Sequence, residues 1–300
     1  MLVIGQGSIG LRHARVARAL NAHVRVVTKR LDVDGPRFAS VGQVEGAEPD
    51  IVVIANETGM HQATLAEVGA RWPETRVLVE KPLFARAEPP PPTTPRDTFV
   101  GYCLRFHPVV HALVERLQGR RLFSIHATVG QHLSLWRPGT DYRASYSARA
   151  GEGGALRDLS HELDLAQLLG GGWRRVAALV QHVSDLETAA EDTASLLLEL
   201  ERCGHVTVRV DAIDRAPRRS LLVHAEGLTA EADLVQSCVR WDGVEEAMPL
   251  ERDALYTAQL RAMMEGDRRW LCPLHEGQRV LGLIEAAERA SAGMRWETAA

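Results

Sequence analysis

Gly5-Gln6-Gly7-Ser8-Ile9-Gly10 has the spacing of a phosphate-cradling turn, provided that a strand enters it and a helix leaves it. The run Leu2-Val3-Ile4 ahead of it and the helical pattern behind it, to about residue 20, supply that setting. The first glycine then permits the tight turn, the second lets a pyrophosphate approach the backbone, and the third lets helix pack on strand. Free N–H groups at the helix start add a positive dipole end. A glycine turn with no ligand is the plain alternative. The next strand closes on Thr28-Lys29-Arg30, with no acid before Asp32. An acid there would take the ribose 2′-hydroxyl and cations a 2′-phosphate, so the turn favours NADP over NAD. A solvated basic turn is the other reading. Ser8, Ile9, Asn56 and Glu80 complete the expected dinucleotide-contacting set.

Glu80-Lys81-Pro82 follows a strand at 76–79. Strand C-termini of an open parallel sheet face the ligand crevice, and the proline confines Lys81 to extended or turn backbone. Only Lys29 and Lys81 are lysines among 35 basic residues. Lysine, unlike arginine, can lower its pKa and exchange a proton.

The elements that must position these residues alternate over the first hundred positions. Strands are expected at 2–4, 23–28, 51–55 and 76–79, with helices at 8–20 and 60–72. That alternation predicts a doubly wound parallel sheet. Four consecutive prolines within 86–97 read as a surface connection or, less naturally, as an SH3-type ligand. After a strand at 98–102 and a helix at 107–118 come long alternating segments at 121–133, 174–184, 193–200, 204–213 and 218–226. They predict a large, mostly antiparallel open sheet, joined by helices at 155–169 and 276–291. The fold class is therefore α/β: a Rossmann domain over 1–105 and a C-terminal α+β domain over 106–300.

A net charge of -4, with both signs interspersed, argues against a nucleic-acid partner. The apolar N-terminal run is too short for a signal peptide, and no stretch approaches the ~18 apolar residues of a membrane span. Cys103, Cys203, Cys238 and Cys272 form no C-x-x-C pair, so free thiols in a reducing cytoplasm and no metal site are expected.

With Gly101-Tyr102-Cys103-Leu104-Arg105-Phe106 and the segment Gly153-Gly154…Asp158…His161…Asp164, these motifs resemble the glucose–fructose oxidoreductase / inositol dehydrogenase (Gfo/Idh/MocA) family over essentially the whole chain. The resemblance implies an NAD(P)-dependent dehydrogenase or reductase that moves a hydride between the nicotinamide and a hydroxyl carbon of a sugar, sugar derivative or cyclitol. It implies that Lys81 hydrogen-bonds the reacting oxygen and relays its proton, and that His161 is the general base or acid. Asp158 would orient or charge-balance the pair, and Asp164 would support His161. Read without the family, Asp158 or Ser160 could instead cap a helix, and His161 could be a packed histidine.

The segment Trp136 to Arg149 is similar to a branch of the family found with nucleotide-sugar and surface-glycan biosynthesis. It implies Arg105, Trp136, Arg137, Asp141, Tyr142, Tyr146 and Asp164 as contacts to a polyhydroxylated substrate. A homodimer or homotetramer through the exposed sheet face is implied as well. The chain departs from the family pattern at Cys103, where asparagine is usual, and in spacing Asp158 and His161 by three residues instead of four. A lyase or epimerase that recycles its hydride, and a non-catalytic NADP-binding sensor, are the competing functions.

Overall fold

The computed structural model describes residues 1–136 and 139–299. The chain divides into two compact units, one of Met1–Phe106 with Glu251–Gln278, the other of His107–Leu250 with the residues from Arg279 onward. A single cut after residue 105 leaves out the return of 251–278. That return has a physical cause, since Leu260, Met263 and Leu271 are buried in the same apolar cluster as Val3, Ala14, Val26 and Val53. The helices are α1 (Ser8–Ala19), α2 (His61–Arg71), α3 (Pro108–Leu117), α4 (Ala155–Asp158), α5 (His161–Gly170), α6 (Ala254–Glu265) and α7 (Leu274–Gly293). Among the described residues no helix is long and apolar enough to cross a membrane.

In the first unit the strands are β1 (Leu2–Ile4), β2 (Arg25–Val27), β3 (Arg37–Phe38), β4 (Ile51–Ile54), β5 (Arg76–Val79) and β6 (Thr98–Val100). They pair in the order β3-β2-β1-β4-β5-β6, all parallel, and Cys272–Pro273 adds an antiparallel edge beside β6. The order reverses between β1 and β4, which makes the C-terminal ends of those strands the switch point. Every residue of β4 is buried, as expected of a parallel strand covered on both faces. Helix α1 buries Gly10, His13, Ala14 and Ala17, a stripe at three- and four-residue spacing.

The crossover from β5 to β6 contains no helix. The proline-rich run lies as coil along α2, where Gln62 Nε2 donates to the Pro89 carbonyl at 3.0 Å and Thr93 Oγ1 to the Ala66 carbonyl at 3.1 Å. Proline has no N–H to leave unpaired, so such a coil tolerates exposure.

The second unit is built on β7 (Leu122–Gly130), β8 (Trp173–Gln181), β9 (Thr193–Leu200), β10 (Val206–Asp211), β11 (Arg218–Ala225), β12 (Leu228–Asp233), β13 (Cys238–Trp241) and β14 (Val244–Ala247). The sheet order is β14-β13-β12-β11-β7-β10-β9-β8, extended by Glu297–Thr298, and only β7 with β10 is parallel. Strand β9 alternates cleanly, with Ala194, Leu196, Leu198 and Leu200 buried and Ser195 and Leu197 exposed. Helices α4 and α5 pack on the sheet over β7, β9 and β10.

Strands β12 to β14 and helix α6 escape the sequence pattern. Strand β14 is exposed throughout and is held at the edge by charge, Arg240 facing Glu245 at 2.7 Å. The helix expected over 155–169 is broken into α4 and α5, because Leu159 leaves helical geometry (φ -101, ψ 30).

Candidate active site

The glycine turn lies at the switch point. Gly5 has φ +92, and a Cβ there would strike the backbone of Ala55 and Asn56; a Cβ on Gly10 would strike the Gly5 carbonyl. Those two positions therefore require glycine. Gly7 is different, because it faces open space at the N-cap of α1, where no side chain caps the helix. Ser8 is exposed and Ile9 half-buried beside it. Asn56 donates through Nδ2 to Thr64 Oγ1 at 2.9 Å, while its Oδ1 is buried with no hydrogen-bond partner among the described residues. An open backbone turn at a helix N-terminus and an unused acceptor beside it suit a dinucleotide.

At the end of β2, Thr28 is buried and its Oγ1 accepts from the Arg30 N–H at 3.1 Å. The Arg30 guanidinium reaches the Gln6 carbonyl at 3.2 Å and grips Asp32 through Nε and a terminal nitrogen at 3.2 and 2.8 Å. That grip holds the Asp32 carboxyl below its usual range. Lys29 is exposed. The basic turn is thus one cation in solvent and one already shared with an acid.

Glu80 and Lys81 follow β5, and the Lys81–Pro82 bond is cis. Glu80 is buried; its Oε1 accepts from His13 Nε2 at 2.6 Å and its Oε2 from the Lys81 main-chain N–H at 3.2 Å. His61 stands on the other side, with Nδ1 3.2 and 3.0 Å from the Pro82 and Leu83 carbonyls and Nε2 3.1 Å from the Asn56 carbonyl. Burial pushes the His61 imidazole below its usual range, against the pull of those carbonyls. Tyr256 packs edge-on against His13, its phenol pushed up by burial. Neither His13 nor His61 stands out in the sequence; the one available signal is a histidine on the buried stripe of α1, three residues after Gly10. Arg105 is buried and paired with Glu276 at 2.7 Å.

In the second unit Asp158 ends α4 and His161 begins α5, and Asp158, Ser160, His161 and Asp164 are all buried. Gly154 is the N-cap of α4 and Ser160 that of α5, and neither makes a side-chain cap bond. Glu191 anchors the start of the segment. Its carboxylate lies where a Cβ on Gly154 (φ +106) would be, and accepts from the Leu156 N–H at 3.1 Å, while its main-chain carbonyl accepts from Ala155. Burial and the nearby Glu288 push Glu191 up to about 7. Arg157 is gripped by both Glu288 oxygens at 2.8 and 2.9 Å, and Glu162 is paired with Arg219 at 2.8 Å.

The loop after β7 brings Leu133, Trp136, Thr140, Tyr142, Ser145 and Ser147 around one shallow pocket. Trp136 is fixed by its indole N–H to the Gln131 carbonyl at 2.7 Å. Asp141 is engaged in holding its own turn, accepting from the Arg143 N–H at 3.0 Å and Arg143 Nε at 2.9 Å; Arg143 also pairs with Glu187. Tyr146 does not line the pocket and is exposed. Arg137 lies outside the described residues. Among the described residues no disulfide joins the four cysteines, and no cluster of His, Cys, Asp and Glu could hold a metal ion.

Residues 111–231 match the GFO/IDH/MocA C-terminal domain family. The fold is similar to levoglucosan dehydrogenase in complex with NADH and levoglucosan, with a TM-score of 0.83 at 13% identity, covering 99% of this chain and 98% of that one. It is similar to the WlbA dehydrogenase of Bordetella pertussis in complex with NADH and UDP-GlcNAcA (TM-score 0.77, 19% identity, 100% and 98% covered). It is likewise similar to the UDP-N-acetylglucosamine 3-dehydrogenase GnnA of Acidithiobacillus ferrooxidans (TM-score 0.75, 20% identity, 98% of each chain). No curated protein matches the chain by sequence.

Proposed function

We propose that this chain, whose residues 111–231 match the GFO/IDH/MocA C-terminal domain family, is a Gfo/Idh/MocA-type NAD(P)-dependent dehydrogenase or reductase acting on a hydroxyl carbon of a sugar or sugar derivative. The observation that carries this reading is the Gly5–Gly10 turn at the switch point, with an open helix N-terminus and the unused Asn56 acceptor beside it. The bound dinucleotide supplies the hydride acceptor or donor. The protein's task is the proton, which must leave the hydroxyl as the carbon is oxidised. Lys81 hydrogen-bonds the reacting oxygen and stabilises its developing negative charge. His161 takes the proton in oxidation and returns it in reduction, and Asp158 orients that exchange.

NADP is the preferred cofactor in this proposal, supported by Lys29 and Arg30 at the end of β2; the pairing of Arg30 with Asp32 tempers the preference. The substrate is a polyhydroxylated molecule of the nucleotide-sugar kind, met by Trp136 and Tyr142 at the pocket, with Arg105, Arg137, Asp141, Tyr146 and Asp164 as further contacts. Two of the similar structures hold or are named for UDP-sugars. A cytoplasmic homodimer or homotetramer completes the reading.

The test is a screen of sugars, nucleotide sugars and cyclitols with NADP and NAD, followed at 340 nm. Turnover that survives Lys81→Ala or His161→Ala would overturn the mechanism. Cofactor retained through purification, with no net absorbance change during turnover, would indicate recycled-hydride chemistry instead.

A further inference from the structure

We infer that His13 is a positioning residue for Lys81: through Glu80 it ties the helix of the glycine turn to the strand end that carries the lysine. The inference rests on the reading of Lys81 as the proton-relaying amine. His13 occupies a core position of α1, fully buried among Ala14, Ala17 and their apolar neighbours. An imidazole and a carboxylate in such a place are costly unless each is bonded, and an apolar pair would pack there at less cost. What the polar pair adds is direction.

The two oxygens of Glu80 are divided between two tasks, Oε1 on His13 at 2.6 Å and Oε2 on the Lys81 N–H at 3.2 Å. The carboxylate packs against Gly101, where an added Cβ would lie 3.0–3.1 Å from it. Behind His13 the edge-on Tyr256 ring closes the space, with the Arg12 guanidinium 4.9 Å from its centroid. The carbonyls of Pro82 and Leu83 meet His61 on the far side of the lysine. Lys81 is thus bracketed in its backbone by two buried histidines, one from each helix that follows the switch-point strands. A short buried bridge of this kind holds a side chain's origin fixed while the side chain itself stays half-exposed.

The sequence offers a direct probe, because Lys29 and Lys81 are its only lysines. In the reductively 13C-methylated protein each gives its own NMR signal beside the N-terminal amine. His13→Leu is expected to shift or broaden the Lys81 signal and leave that of Lys29 in place. His13→Gln keeps a donor towards Glu80 and is expected to restore the parent signal. Should His13→Leu fail to fold, Glu80→Gln puts the same question with an isosteric side chain and is expected to move the Lys81 signal too.

Where a substrate is found, kcat of His13→Leu should fall by about tenfold to 10²-fold with KM little changed, as a misplaced catalytic group predicts. A Lys81 signal unmoved in folded His13→Leu, or in Glu80→Gln when the former does not fold, overturns the inference. Dinucleotide titration of the parent protein is run alongside. Absence of binding there would sink the oxidoreductase reading, while the lysine signals would still decide the brace.

Discussion

The turn at Glu80–Leu83 and the loop from Gln131 to Glu152 are held in opposite ways. The first is fixed by buried groups: His13 is bonded to a carboxylate, and His61 lies within hydrogen-bond distance of three main-chain carbonyls. Much of the second is held by ion pairs in solvent, Arg143 between Asp141 and Glu187 and Arg149 on Glu152. Hydrogen bonds in a low-dielectric interior are strong and expensive to break, whereas exposed pairs contribute little and are screened by salt. On the proposed mechanism, the difference separates a part that presents one amine in one place from a part that adapts to what it meets.

The comparison is tested most severely at the amine itself. Lys81→Ala should lower turnover by about 10²–10⁴-fold, the usual worth of a proton-transfer group, with dinucleotide affinity nearly unchanged by fluorescence titration. Next, Gly10→Val should cost dinucleotide binding about 10²-fold, because the new side chain drives Gly5 out of the turn; unaltered affinity would mean that the phosphates do not sit there. Asp32→Asn frees Arg30 and should raise the ratio of NADP to NAD affinity by about tenfold, a charge effect that added salt should diminish.

A smaller effect, in stability, distinguishes two titratable groups of the second unit. His107 caps α3 by accepting from the Val109 N–H at 3.2 Å, and burial pushes it down to about 4 from 6.5. Its folded value is the lower one, so its contribution is complete above about pH 6.5 and is lost as the pH falls towards 4. Glu191 runs the other way, raised from 4.5 to about 7, and its cost grows as the pH rises through that interval. Melting curves should therefore show His107→Gln flattening the acid limb. Glu191→Gln should raise Tm at pH 8 and leave it unchanged at pH 4. The smallest effect belongs to the loop, where Arg143→Ala should leave Tm unchanged at physiological salt; a large drop would show that this loop is not the adaptable part.

How far the sequence can be read follows the same division between local and distant. The glycine turn is legible because its three residues act within six positions, and β7, β9, β10 and β11 are legible because burial alternates along much of each strand. Strand β14 has no buried face to announce it, and the break at Leu159 follows no proline. Most opaque is the brace on Lys81, since His13 and Glu80 lie 67 positions apart and each is unremarkable alone. Glu191 is equally silent, 35 positions from the Leu156 N–H that it accepts.

The discontinuity of the first unit has a consequence for how the chain is made. Synthesis delivers every strand from β1 to β14 before Leu260, Met263 and Leu271 emerge to finish the first apolar cluster. Until then the nascent N-terminal sheet carries an uncovered greasy flank, and exposed apolar surface of that kind is prone to aggregation. A gene cut after Leu250 would leave that flank bare for good, so expression of the isolated first unit should succeed only if residues 251–278 are grafted back onto it.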